Sequence, residues 1–370
     1  MDRPAEPSTA DVRMRGFARR TPVHAVHRLL EDRLDRLESQ DVPVAGAAFR
    51  VLAQAITAPL DVPGFDRSAM DGYAVIATET FGACSSNPLA FRLMGQSLPG
   101  RPYAGGLRPG QAVRIMTGAA MPAGATAVAV AEVCREENET VWISAPFPPG
   151  KNIGRRGEDV AAGRRVLEAG RRLRPQDAAL AASLGLSSLL VVRRPAVDLL
   201  ATGDELLPPG STPAGDRIID SNSVMLAALV SRDGGSPAPV LRLPDKAAAI
   251  RKALMTCRGD LVLISGGSSV GTEDHAPLVL REIGELPVHG VGVRPASPTG
   301  IGFLPHPEGN SARPVFLLPG NPVSCLCAYD LFAARALAIL SGRPARLPYR
   351  SLTRPLARKV FLYGETTGSS

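Results

Sequence analysis

The chain has 370 residues, 45% hydrophobic and 21% charged, an ordinary globular balance with room for two or three hydrophobic cores rather than one. Its 37 glycines and 34 prolines stay below the share of a low-complexity polymer. Ten Phe, five Tyr and one Trp are too few for a platform that stacks single-stranded nucleic acid, and no apolar run approaches the roughly 18 residues of a membrane span. The net charge of +7 favours an anionic partner.

The first twenty residues carry Arg3, Arg13, Arg15, Arg19 and Arg20 without an apolar core, so they read as a short disordered tail and not a secretory signal. Thr21-Pro22 then looks like an N-cap with proline at the first helical position. Val23, Val26, Leu30, Leu34 and Leu37 follow at three- and four-residue intervals and predict an amphipathic helix. From Val51 to Ile143 short β-branched runs such as Ala112-Val113-Arg114-Ile115 and Ala127-Val128-Ala129-Val130 alternate with Gly and Pro, which predicts a small β-rich unit. Gly150 to Leu186 is basic, then helical around Pro175 to Leu184, and is expected to rejoin the opening helix. Its arginines, Arg155, Arg156, Arg164, Arg165, Arg171, Arg172 and Arg174, read as a solvated, partly paired surface, with an oxyanion-attracting patch as the alternative.

After Leu189 apolar strands run into polar, glycine-containing loops. Val197 to Ala201 leads to Thr202-Gly203-Asp204-Glu205, Leu261 to Ile264 to Ser265-Gly266-Gly267, and Val315 to Leu318 to Pro319-Gly320-Asn321-Pro322 before a helical stretch Val323 to Leu340. Strands alternating with helices predict a parallel α/β sheet covered on both faces, whose ligands bind at the strand carboxyl ends. The last segment holds a strand-like Arg358 to Tyr363, and only residues 343–370 remain for a further domain, which reads as cut short.

Ser265 to Asp274 (SGGSSVGTED) combines three glycines whose amides can converge on an anion with hydroxyl donors; a phosphate cradle and a structural turn are both open. The P-loop lysine is missing, which excludes that type of nucleotide triphosphatase. Asp204 and Glu205, with Asp274 and Asp245, could hold Mg²⁺ together with a phosphate, or could serve as helix caps. Pro319 and Pro322 fix a rigid turn before a helix. His24, His27, His275, His289 and His306 show no H-E-x-x-H pattern, so a zinc hydrolase is not supported. Cys84, Cys134, Cys257, Cys325 and Cys327 are scattered and odd in number, which suits reduced thiols in a cytoplasm.

Six ordered segments carry a family resemblance: PGFDRSAMDGYAV (63–75), RIMTGAAMPAGA (114–125), GKNIGRRGEDVAAG (150–163), ATGDEL (201–206), SGGSSVGTED (265–274) and LPGNPVS (318–324). In order and spacing this chain resembles the MoeA and gephyrin E-domain family of molybdopterin molybdotransferases. The resemblance implies an α/β multidomain subunit. Its discontinuous linker domain I would span 21–58 and 146–188, and its inserted β-rich domain II 59–145. A three-layer α/β molybdopterin-binding domain III would span 189–342, and 343–370 would hold a C-terminal β-barrel, domain IV, largely absent. It implies transfer of molybdenum from molybdate to adenylylated molybdopterin with release of AMP and help from Mg²⁺.

Carried over by residue, Asp71, Thr117, Glu205, Asp245 and Asp274 match catalytic positions, the last three as an Mg²⁺-handling cluster. Thr202, Gly203, Ser265, Gly266, Gly267, Gly271, Arg294, Ser297, Pro319, Gly320, Asn321, Pro322 and Ser324 match the pterin and adenylate side. The resemblance further implies a homodimer whose Asp71 and Thr117 act across the interface on a pterin held by the partner copy. Possible partners are the adenylyltransferase that supplies the pterin or a client molybdoenzyme, with no nucleic acid and no membrane. Where the family shows K-P-G-K-P, this chain has Arg294-Pro295-Ala296-Ser297-Pro298, keeping one cation and losing the second, which weakens attraction for a dianion. That change leaves two alternatives: a non-catalytic carrier of pterin or finished cofactor, or a divergent paralogue, including a tungstate-selective one.

Overall fold

The computed structural model describes residues 20–267, 274–305, 312–347, 349–350, 352 and 355. The expected N-terminal tail and the strand-like Arg358 to Tyr363 lie outside the described residues, as does Gly271. The described residues form two compact units, one within 39–191 and the other made of those before 39 and after 191.

The second of these is built on a seven-stranded sheet. Its strands run in the order Ser236–Pro237, Ala196–Thr202, Leu261–Ser265, Ala312–Leu318, Gly300–Pro305 and Glu285–His289, with Leu241–Leu243 also paired to Ala196–Thr202. Alternating side chains decide the layering, because successive residues of a strand point to opposite faces. Val197, Leu199, Leu261, Leu263, Phe316 and Leu318 pack into one buried cluster with the helices Val23–Arg33 and Asn222–Arg232 and the helical stretch from Pro322. Leu200, Val262, Ile264, Val315 and Leu317 face the other way, against Ala247–Thr256 and Ala276–Ile283. The result is helix, sheet, helix in three layers.

Four expectations need correction here. The sheet is mixed: Ala196–Thr202, Leu261–Ser265 and Ala312–Leu318 are parallel, but Gly300–Pro305 and Glu285–His289 add antiparallel pairings. The opening helix begins one residue later than the Thr21 cap implies, with Pro22 at the N-cap position. It does not rejoin residues 150–186 but sends Val26, Leu30 and Leu34 into the sheet's core, because its apolar stripe matches the face that carries Val288 and Phe303. Finally, Pro322–Leu340 forms 19 helical residues of mean hydropathy 1.7, long and apolar enough to cross a membrane; its window is 61% buried inside the unit, and that burial accounts for the apolarity. The stretch widens to a π turn at Tyr329–Ala333.

The other unit has a six-stranded sheet in the order Ala127–Val130, Gly72–Val75, Gln111–Ile115, Leu89–Ser97, Thr140–Ile143, Cys134–Glu137, with apolar clusters around Tyr73, Val75 and Val141 and around Ala74, Val113 and Ile115. A separate cluster gathers Val44, Leu52, Leu173, Leu184 and Val191 beside the helix Pro175–Ser183. The basic stretch is largely paired: Arg155 with Asp66 at 2.7 Å, Arg156 with Asp61 at 2.6 Å, and Arg171 and Arg174 with Asp177 at 3.0 Å.

Candidate functional site

Three strand ends build the site. Ala196–Thr202, Leu261–Ser265 and Ala312–Leu318 are parallel neighbours in register, so the loops that follow them emerge at the same sheet edge. There they enclose a cavity of about 430 Å³ lined by Thr202, Glu205, Asp245, Gly266, Gly267, Asp274, Pro298, Pro319, Gly320, Asn321 and Ser324. A second cavity of about 220 Å³ adjoins it, sharing Thr202, Glu205, Gly266 and Gly320 and adding Ser265 and Pro322 among others.

The glycine turn has a physical requirement. Gly266 and Gly267 take positive φ values of 89° and 57°, and a Cβ on Gly266 would stand 2.3 Å from the Thr202 carbonyl oxygen. Only a residue without Cβ lets this turn lie against the neighbouring strand end. At the third loop Asn321 accepts hydrogen bonds from the amides of Val323 (3.1 Å) and Ser324 (3.3 Å), capping the helix whose first residue is Pro322. The plain reading of this segment as a turn before a helix therefore holds, and the capping residue also lines the cavity.

The acids are not helix caps. Glu205 runs into the short strand Leu206–Leu207, paired in parallel with Ile218–Ile219, and Asp245 precedes a helix whose N-cap is Lys246. Asp245 instead accepts from the amide of Asp204 at 3.3 Å. Burial raises its carboxyl above the ordinary range, the Asp204 amide opposes this, and the charges of Glu205, Asp204 and Asp274 push it further up. Asp245 thus feels the charges of Glu205 and Asp274, with which it lines one cavity. Among the described residues no three His, Cys, Asp or Glu stand close enough to hold an ion by themselves, so a cation held here would need ligand oxygens as well.

Asp71 and Thr117 belong to the other unit, where they meet each other: Thr117 donates to Asp71 Oδ1 from its amide and its hydroxyl, both at 2.7 Å. These bonds hold the Asp71 carboxyl below its usual range. Arg294 and Ser297 line neither cavity; their segment contributes Pro298. Arg294 is exposed, and Ser297 Oγ is buried with no hydrogen-bond partner. Sequence reasoning missed Asn222, whose side chain donates to the Gly320 carbonyl at 2.8 Å. The signal was present in Asp220-Ser221-Asn222-Ser223, a polar cluster ahead of an apolar helix: Asp220 accepts from the Ser223 amide (3.0 Å) and hydroxyl (2.5 Å) and pairs with Arg242 at 3.0 Å.

A glycine turn and three carboxylates meet at the carboxyl edge of an α/β sheet, where ligands of such folds bind. Comparison with known proteins narrows the class. Residues 21–185 match the MoeA N-terminal region (domain I and II), and residues 198–338 match a probable molybdopterin binding domain. The chain is 37% identical over 340 residues to a protein of Mycobacterium tuberculosis named molybdopterin molybdenumtransferase 2, covering 86% of this chain and 81% of that one. It is 36% identical over 300 residues to the molybdopterin molybdenumtransferase of Haemophilus influenzae, covering 80% and 72%. The crystal structure of a molybdopterin biosynthesis MoeA protein from Pyrococcus horikoshii OT3 superposes with a TM-score of 0.71 at 32% identity, covering 88% of this chain and 80% of that one. This chain belongs to the MoeA family.

Proposed function

We propose that this protein is a molybdopterin molybdenumtransferase, which takes adenylylated molybdopterin and molybdate, leaves molybdenum on the dithiolene and releases AMP. The observation that carries this reading is the convergence of the Gly266–Gly267 turn with Glu205, Asp245 and Asp274 around one cavity. Cleaving a phosphoanhydride asks mainly for positioning and charge neutralisation. The Gly266–Gly267 backbone lets a phosphate approach closely, and the Asn321-capped loop with Pro319 and Pro322 fixes the opposite wall.

The donor set suits Mg²⁺: all three side chains offer hard oxygens, and this ion keeps waters and shares substrate phosphates rather than needing a closed protein cage. Glu205 and Asp245 make no ion pair among the described residues, which fits donors kept for a cation. Glu205, Asp245 and Asp274 would hold it, and when bound it would neutralise charge on the leaving adenylate. We read Asp71 and Thr117 as acting on the pterin across a homodimer, with Thr117 keeping the Asp71 carboxylate ionised and aimed. Five unpaired cysteines favour a reducing, cytoplasmic setting.

The test is AMP release by purified protein given adenylylated molybdopterin, molybdate and Mg²⁺. Molybdate-dependent release that Asp274→Ala abolishes is expected. No release, or equal release by the variant, overturns the reading; tight pterin binding without release would point to a carrier instead.

A further inference from the structure

The segment 218–223 is bonded to three of the loops that build the site, although none of its residues belongs to the sequence-derived set. The Ile218 amide donates to the Glu205 carbonyl at 2.9 Å, and the Asp220 amide donates to the Leu207 carbonyl at 2.9 Å. Asn222 donates to the Gly320 carbonyl at 2.8 Å. The third tie is made by the Asp220 side chain, which Arg242 meets at 3.0 Å. Arg242 stands in the strand Leu241–Leu243, and that strand leads through Pro244 into Asp245. Asp220 is 2% exposed and borders the smaller cavity, but both of its oxygens are taken. Oδ1 accepts from the Ser223 amide at 3.0 Å, and Oδ2 accepts from the Ser223 hydroxyl at 2.5 Å and from Arg242. A carboxylate so occupied is a strut and not a group held open for a ligand.

We propose that Asp220 is a positioning residue: through Arg242 on one side and its own backbone on the other, it sets the separation of the Glu205 and Asp245 loops, so that both acids can serve one cation-bound phosphate. The Glu205 loop needs such a fixed point. It is followed only by the pairing of Leu206–Leu207 with Ile218–Ile219, and an isolated two-stranded ladder is marginal by itself. The strand that carries Arg242 is anchored independently, in parallel register with Ala196–Thr202, so the ion pair ties the weakly held loop to the rigid sheet. A buried ion pair adds little net stability, because desolvation offsets its attraction, but its directionality can select one arrangement. The inference rests on the proposed function for its probe, AMP with Mg²⁺.

The experiment is calorimetric titration of AMP, with and without Mg²⁺, into the wild-type chain, Asp220→Asn and Arg242→Lys, with thermal melts alongside. Asn keeps the shape and an acceptor for the Ser223 amide but turns its NH₂ toward Arg242, so the tie is lost. The gain in AMP affinity that Mg²⁺ confers is expected to fall about tenfold or more in Asp220→Asn, while affinity without Mg²⁺ stays unchanged. Arg242→Lys keeps a cation for the single contact and should retain most of the gain. A double variant, Asp220→Asn with Arg242→Met, removes both charges and guards against a single variant that does not fold; it should melt close to the wild-type temperature and still lack the gain. A merely structural pair predicts the opposite, a lowered melt with the Mg²⁺-dependent gain intact. That result, or a wild-type affinity that Mg²⁺ does not change, overturns the proposal. Failure of the functional reading is separable: a wild-type chain that shows the gain but releases no AMP from adenylylated molybdopterin refutes the activity and leaves the positioning role standing.

Discussion

Gly266→Ala isolates the close approach on which the cradle depends, because the same unit contains a control. Gly234 follows the helix Asn222–Arg232 with φ of 87°, nearly that of Gly266 at 89°, but a Cβ there meets nothing within 4 Å, whereas on Gly266 it stands 2.3 Å from the Thr202 carbonyl oxygen. Gly234→Ala therefore carries only the cost of an L-residue in the left-handed region, about 1–2 kcal/mol. Gly266→Ala carries that cost and a backbone overlap of roughly 1 Å, which is relieved only by moving one strand-end loop away from the other; overpacking of this kind adds about 1–3 kcal/mol. At roughly 2–4 °C per kcal/mol for a unit of this size, Gly266→Ala should melt several degrees below Gly234→Ala. Because both glycines lie in one compact unit, denaturant titration and thermal melts of the two variants report on the same transition. Affinity for AMP should fall in Gly266→Ala alone, since only that substitution displaces a cavity wall. If the two variants agree within about 0.5 kcal/mol, the resolution expected of independent-site comparisons, the close-approach argument is wrong.

Further expectations are specific to single side chains. Asp177, buried at 3% exposure, is held well below the carboxylate range by Arg174 and then Arg171, against the opposing effect of burial. A depressed carboxyl stabilises the fold above its unfolded pKa of about 4 and loses that contribution as pH falls, so Asp177→Asn should cost about 1–2 kcal/mol at neutral pH, discounted for its solvent-exposed guanidinium partners, and progressively less below about pH 4 in pH-dependent denaturation. Thr117→Val removes one of the two donors to Asp71 Oδ1, and carbon-detected NMR titration should find the Asp71 carboxyl moved up toward its ordinary value; an unmoved titration would show that the amide alone sets it. Asp245→Asn keeps the acceptor for the Asp204 amide while relieving repulsion from Glu205, Asp204 and Asp274, so the ligand-free melt should rise while AMP release falls by roughly tenfold or more.

The elements that read clearly from sequence were those whose own side chains decide their fate. Val26, Leu30 and Leu34 announced a helix through their three- and four-residue spacing, and the apolar segments Val197 to Ala201 and Leu261 to Ile264, each running into a glycine-containing loop, announced strands. What a period cannot carry is the identity of the partner face, and nothing in the spacing of Val26, Leu30 and Leu34 names Val288 and Phe303 as their partners. Strand direction was equally hidden: Gly300–Pro305 returns antiparallel to Ala312–Leu318, a consequence of connection geometry that no residue in either strand encodes. At the site, the strand-end loops were legible because each follows an apolar strand and gathers glycine and polar residues within a few positions. Asn222 was not, since its meaning lies in a bond to Gly320, 98 residues away.

The electrostatic pattern across the chain gives the acidic cavity its significance. This sequence is rich in arginine and uses it to neutralise carboxylates wherever they are structural: Arg193 meets Asp260 at 2.6 Å, Arg232 meets Asp330 at 2.7 Å, and Arg242 meets Asp220 at 3.0 Å, each acid being nearly fully buried. Truncating one partner of such a pair leaves an uncompensated charge, so these contacts hold the fold in one arrangement. Glu205 and Asp245 depart from that habit, for they have no ion pair among the described residues, and the charges that bear most on Asp245 are other carboxylates. With arginine so abundant, the lack of an ion pair to either acid among the described residues is not explained by composition. It follows if neutralisation must come from outside the chain, by a divalent ion that arrives with a phosphate, because a resident guanidinium would occupy the space and satisfy the acids before the ligand could.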